Sequence, residues 1–177
     1  MKTSQEWYDG IKNDKEKLDN WLKNQYHGEV TAAERIRELI LCYTPEQNAN
    51  NWKSVVEQIA AEEEVHAEWV GDLLRARGIE PTKLVKSERY WDNTVKQITD
   101  WETGCAVAAH AEKMRLDRIE VICADPDTDD DIREVFAKIL PQEQFHESAF
   151  RQFSSDEAMA KTLEGHLAGL NELGLKP

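Results

Sequence analysis

Residues that interrupt helices are scarce in this chain. It has 8 glycines and 5 prolines among 177 residues, which leaves little to break long helices and suits an all-α domain. Cysteine is scarce as well: Cys42, Cys105 and Cys123 are odd in number and lack zinc-ligand spacing. That argues against a disulfide framework and suits a reducing compartment. Positive charge is the third shortage, with 22 Lys and Arg against 35 Asp and Glu and a net charge of −13. Such a surface repels phosphate, so neither nucleic acid nor an anionic membrane is an expected partner. No apolar run is long enough to span a bilayer, and the opening Met-Lys-Thr-Ser-Gln-Glu-Trp carries no signal-peptide core. The expected location is therefore the cytoplasm. The length is that of one domain, residues 1–177, with room for a sizeable core.

What the chain does have is a repeated polar pair inside apolar stripes. At helical spacing, Trp52, Val55, Val56, Ile59, Val70, Leu73 and Leu74 share one face, and Glu63 and His66 fall on it. The pattern recurs as Ile132, Val135, Phe136, Ile139, Phe150 and Phe153, with Glu143 and His146 on the same face. An inward carboxylate is costly unless it meets a cation, a hydrogen-bond network or a proton. A Glu and a His three residues apart lie one turn apart on a rigid helix and reach the same ion, so both pairs point to metal.

A second repeat precedes each pair. Residues 29–36 read Glu-Val-Thr-Ala-Ala-Glu-Arg-Ile and residues 112–119 read Glu-Lys-Met-Arg-Leu-Asp-Arg-Ile. Glu29 lies on the stripe of Leu18, Leu22, Ala32, Ile36, Leu39 and Tyr43, and Glu112 on that of Ile98, Trp101, Cys105, Ala108, Leu116, Ile119 and Ile122, whereas Glu34 and Asp117 fall away from both. Each half is thus a helix with one inward Glu followed by a helix with inward Glu-x-x-His. The expected fold is all-α, a four-helix bundle of two αα hairpins with a core at about residues 14–153 and short helices at either end.

This arrangement resembles the ferritin-like di-iron carboxylate proteins, of rubrerythrin and bacterioferritin type, and implies their up-down four-helix bundle. His27-Gly28-Glu29-Val30-Thr31-Ala32-Ala33-Glu34-Arg35-Ile36 is similar to the opening of rubrerythrin-type first helices, where the Glu after the Gly is the ligand. The resemblance implies Glu29, Glu63, His66, Glu112, Glu143 and His146 as metal ligands, with Glu63 and Glu143 bridging and acting in catalysis. Three features depart from known relatives. No Cys-x-x-Cys pair exists for a rubredoxin-like module, the third helix lacks a second nearby Glu, and Glu64 and Val65 stand where bacterioferritins place a haem-ligating Met.

Breakers and caps predict the boundaries. A short segment covers residues 4–11. Helix one runs from near Asp14 to a Thr44-Pro45 turn, helix two from about Asn51 to Gly78, and a crossover spans residues 78–86. Helix three runs from near Ser87 to before Asp125, helix four opens at Asp129, Asp130 and Asp131 and should bend at Pro141, and a fifth covers residues 155–173. The acidic run from Asp125 to Asp131 reads as a helix-capping loop, since it lacks the Gly and terminal Glu of an EF-hand. His27, His110 and His166 read as surface or internally satisfied. Glu34 and Asp117, with Arg35 and Arg118, are either orienters of the ligating histidines or surface ion pairs. Cys105 and Tyr26 read as packing residues.

Two function classes share this ligand set. One is a non-haem di-iron oxidase, oxygenase or peroxidase, with two iron ions about 3.5–4 Å apart acting on dioxygen or peroxide and a small-molecule substrate or reductant. The other is ferritin-like iron oxidation and storage. A bundle holding manganese or zinc as a structural metal is a third reading. The enzyme reading goes with a small assembly such as a homodimer.

Overall fold

The structure, a computed structural model, describes residues 1–43, 51–85 and 89–177. Seven α-helices occur among them: α1 (Ser4–Asp9), α2 (Lys15–Cys42), α3 (Trp52–Ala76), α4 (Arg89–Thr94), α5 (Trp101–Ala124), α6 (Asp130–Phe153) and α7 (Asp156–Leu173). The expected Thr44-Pro45 turn and the Ser87 helix start lie outside the described residues.

Side-chain caps set most of the helix starts. Asp14 accepts the Lys17 N–H at the start of α2, and Ser155 accepts the Ala158 N–H at the start of α7. Gly174, at φ 71°, closes α7 in the left-handed conformation that glycine adopts without strain. The expected third helix is broken. It divides into α4, a 3-10 turn at Val95–Gln97, and α5. The cause lies at Asp100, whose carboxylate accepts the Thr103 N–H at 2.8 Å while Thr103 Oγ1 accepts the Asp100 N–H at 3.1 Å. This reciprocal capping box starts a new helix and draws the backbone out of the old one. By contrast, α6 runs uninterrupted through the exposed Pro141.

Helices α2, α3, α5 and α6 form the bundle. The contacts of His66 with Gln142 and of His146 with Glu62 make α3 antiparallel to α6. The hairpins α2–α3 and α5–α6 are each up-down, so α3 and α5 run the same way. Two apolar layers fill the interior. Leu22, Val70, Leu74, Ile119, Phe136 and Ile139 belong to one layer, and Ile36, Val56, Ile59, Trp101, Cys105 and Phe150 to the other. Each such side chain contributes about 1.5–3 kcal/mol on burial. On every bundle helix the candidate ligands lie between the residues of these two layers.

The outer helices brace this frame. Tyr8 of α1 shares a 2.7 Å hydrogen bond with Thr128, and Trp7 packs edge-on against Trp21. The acidic loop, expected to cap α6, makes no side-chain cap hydrogen bond from Asp129 and is held by ion pairs instead: Lys12 Nζ lies 2.8 Å from Asp125 Oδ2, and Arg77 Nη1 lies 2.7 Å from Asp131 Oδ2. Helix α7 covers α4 and α5, where Tyr90 OH meets His166 Nδ1 at 2.8 Å. Gly169 permits this approach, since a Cβ there would stand 2.5 Å from Tyr90 Cδ2.

Candidate metal centre

Glu29 of α2, Glu63 and His66 of α3, Glu112 of α5, and Glu143 and His146 of α6 converge between the two apolar layers. Glu112 is 4% exposed and the other five are 0% exposed. Two overlapping donor sets result: Glu29, Glu63, His66 and Glu143, and Glu63, Glu112, Glu143 and His146, each with one donor atom per residue and all of them within 4.8 Å of one another. Glu63 and Glu143 belong to both. The structure therefore brings together all six residues expected at the site. Oxygen and imidazole donors in this number suit iron, manganese or zinc.

The imidazoles are held ready as donors. His66 Nε2 lies 2.7 Å from Gln142 Oε1, and His146 Nε2 lies 2.8 Å from Glu62 Oε2. Both partners are acceptors, so Nε2 carries the proton in each ring and Nδ1 faces the carboxylates. His146 Nδ1 is 3.2 Å from Glu63 Oε1, and His66 Nδ1 is 3.4 Å from Glu143 Oε1. His66 Nδ1, Glu112 Oε2 and Glu143 Oε2 are buried without a hydrogen-bond partner. Orphaned lone pairs turned toward one another at this depth are what a metal ion would satisfy, so the residues fit the ions that the site pattern implies.

Of the two roles open to Glu34 and Asp117, the structure shows the surface ion pair. Glu34 pairs with Lys83 at 2.5 Å and Asp117 pairs with Lys113, so both are surface ion pairs. Arg35 stacks on Trp91 and Arg118 on Trp7. The actual orienters precede the inward glutamates in sequence: Glu62 before Glu63, and Gln142 before Glu143. Each serves the histidine of the opposite helix. His27, His110 and His166 stay outside the cluster. His27 Nδ1 accepts the Leu84 N–H at 3.2 Å, His110 bonds the Met159 carbonyl at 3.2 Å, and the His110 and His166 rings stack 4.7 Å apart. Cys105 is buried in one apolar layer and Tyr26 packs against the other.

Sequence reasoning missed Arg115. It lies one turn beyond Glu112 and sends its guanidinium into the cluster, with Nη1 2.9 Å from Glu29 Oε2, 2.9 Å from Glu63 Oε2 and 3.0 Å from Glu143 Oε1. Gln25 Nε2 donates to the other Glu29 oxygen at 2.5 Å. The signal available was a cation three residues after an inward glutamate, a spacing that keeps both on one face.

Burial and Arg115 divide the four carboxyls. Burial pushes Glu29 and Glu112 well above the usual carboxylate range, despite the opposing charge of Arg115. At Glu63 and Glu143 burial acts the same way, but the charge of Arg115 outweighs it and the net shift is downward. Burial disfavours the charged form of His146, yet its bond to Glu63 and the charges of Glu63 and Glu143 raise its pKa overall. Two carboxylates thus hold their charge at the centre, and two protonatable carboxyls flank them.

A cavity of about 190 Å³ lies between α2 and α5, with Trp91, Val95 and Ile98 as a wall. Ile36, Leu39, Val107 and Ala108 give it an apolar lining, and Glu112 lines it too, so it reaches the carboxylate cluster.

Four long helices that present Glu, Glu-x-x-His, Glu and Glu-x-x-His to one buried centre define a ferritin-like carboxylate bundle. The family pattern of rubrerythrin matches residues 20–154, most of the chain. The chain belongs to the rubrerythrin family, a ferritin-like family of di-iron carboxylate proteins. Comparisons with curated proteins and with solved structures find no match. Among the described residues no helix is long and apolar enough to cross a membrane.

Proposed function

We propose that the chain is a di-iron carboxylate oxidoreductase that uses dioxygen or peroxide to oxidise a small apolar molecule. The observation that carries this reading is the meeting of an apolar cavity with the buried cluster at Glu112. Glu29 and His66 would hold one iron ion and Glu112 and His146 the other, with Glu63 and Glu143 bridging. Manganese or zinc would fit the same donors. Bound there, the iron pair supplies electrons to dioxygen or peroxide.

The protein residues do the rest. Glu62 and Gln142 fix the histidine rings, so no reorientation is needed at the moment of reaction. The apolar layers on both sides exclude water and strengthen each electrostatic contact between them. Ile36, Leu39 and Val107 select an apolar substrate and bring it to Glu112 at the edge of the cluster. The charged pair Glu63 and Glu143 draws cations to the centre.

Anaerobic loading at saturating ferrous iron, followed by oxygen exposure, tests the proposal through absorbance and Mössbauer spectra. The expected result is two irons per chain, oxidised once and then inert until a reductant is supplied, in a small assembly such as a homodimer by light scattering. Uptake of ferrous iron far beyond two per chain into a shell-sized particle would show a store instead. A chain that retains no iron would end the reading.

A further inference from the structure

The two donor sets are not equivalent, and three observations rank them. Arg115 Nη1 bonds Glu63 and Glu143, which both sets share, at 2.9 and 3.0 Å; what separates the sets is that it lies 2.9 Å from Glu29 Oε2 of the first but 3.7 Å from Glu112 Oε2 of the second. The guanidinium therefore stands in the seat that a cation of the first set would take. In the second set Glu112 Oε2 and Glu143 Oε2 are buried without a partner. His66 Nδ1, pointing into the first set, is unbonded too, but the oxygens with which it would share an ion are those that Arg115 holds.

The third observation concerns the histidines. His146 of the second set is backed by the Glu62 carboxylate, itself anchored by Gln58 Nε2 at 2.8 Å, whereas His66 of the first set is backed by the neutral Gln142 amide. A carboxylate behind an imidazole makes Nδ1 the stronger donor.

We infer that Arg115 is a built-in cation of the first seat, so that a divalent ion fills the Glu63–Glu112–Glu143–His146 seat first and the Glu29–His66 seat only as the guanidinium withdraws. The inference rests on the metal-binding reading above. Charge supports the order. With all four carboxyls ionised, one guanidinium and one divalent ion leave a single negative charge, while a second divalent ion beside a retained guanidinium would turn a buried site net positive. Withdrawal has a path, because the Arg115 side chain is 16% exposed while Glu29, Glu63 and Glu143 are 0% exposed. A flexible stem on a side chain not fully sealed can carry the head group outward. Arg115 then sets the spacing in affinity between the two seats.

Zinc titration of the metal-free full chain, followed calorimetrically and by competition with a chromophoric chelator, tests this without oxygen chemistry. Wild-type protein is expected to bind one zinc ion tightly and a second ~10- to 100-fold more weakly. Arg115→Met keeps the apolar stem and removes the charge, and it should bring the two steps together. Should that variant fail to fold, histidine variants give the same information: His146→Ala should remove the tight step and His66→Ala should leave it. Two equal steps in the wild type, an unchanged gap in Arg115→Met, or loss of the tight step in His66→Ala overturns the inference and leaves metal binding intact. Absence of zinc binding in every form removes the metal reading and this inference with it.

Discussion

Glu62→Ala isolates the contribution of one orienting bond. The side chain is 19% exposed and touches the site only through the 2.8 Å bond to His146 Nε2. Its loss leaves the ligand set whole but frees the ring to rotate and to exchange tautomers, so Nδ1 must be re-aimed each time an ion binds. Removal of such a partner lowers metal affinity ~10- to 100-fold, or about 1.4–2.8 kcal/mol. The same change should cost the metal-free fold about 1–3 kcal/mol, because it strands the buried Nε2–H. Metal affinity and stability are therefore read in separate assays. Glu62→Gln keeps an acceptor without the charge and should fall between wild type and Glu62→Ala. Gln58→Ala removes only the anchor of Glu62 and should have the smallest effect. Competition titration with zinc measures the affinities, and thermal unfolding in chelator measures the stability. Zinc affinity of Glu62→Ala within about twofold of wild type, with an intact fold, would refute the claim that this carboxylate aligns His146.

Two further predictions concern the covering helices. Gly169→Ala places a Cβ 2.5 Å from Tyr90 Cδ2 and should push α7 off α4 at a cost of about 1–3 kcal/mol, read from denaturant unfolding; an unchanged midpoint would show that α7 is loosely seated. Burial and the neighbouring His110 hold His166 at about 4, below its usual 6.5. The unfolded chain then binds the extra proton first, so this group's stabilisation is complete above pH 6.5 and is lost as pH falls toward 4, on the order of 2 kcal/mol in all. Proton NMR of the imidazole checks the value directly, and titration near 6.5 would contradict the buried His110–His166 stack.

The site was largely legible in the sequence because its residues break a rule. Glu29, Glu63, His66, Glu112, Glu143 and His146 are polar residues on faces that are otherwise apolar, and the two halves repeat the violation in the same order. Helix starts marked by Asp14 and Ser155 were legible for a similarly local reason, since a cap needs only its own first turn. The break at residues 98–100 was not, because Ile98, Trp101 and Cys105 keep helical spacing across it and periodicity alone continues straight through. The capping pair Asp100 and Thr103 was the cue. Glu62 and Gln142 were hidden more deeply. Their role depends on which residue of α3 stands opposite which residue of α6, and a single helix's pattern carries no such information. Arg115 shares the face of Glu112 by spacing, but spacing alone does not say that a long cationic side chain turns its head group into the cluster.

The reciprocal orienters have a consequence for assembly. Helices α3 and α6 each carry a ligand pair and also the residue that holds the other helix's imidazole. The hairpins α2–α3 and α5–α6 are built from contacts close in sequence and can form early, whereas their docking joins residues some eighty positions apart, as with Glu62 and His146. Apolar layers alone would tolerate several docked positions. A slip of one turn moves α6 about 5.4 Å along α3, which strands both Nε2–H groups and sets the glutamates against hydrocarbon. The polar centre thus acts as a key in the interface between the hairpins: it rejects the misaligned pairings that a greasy seam would accept, and it does so before any ion arrives.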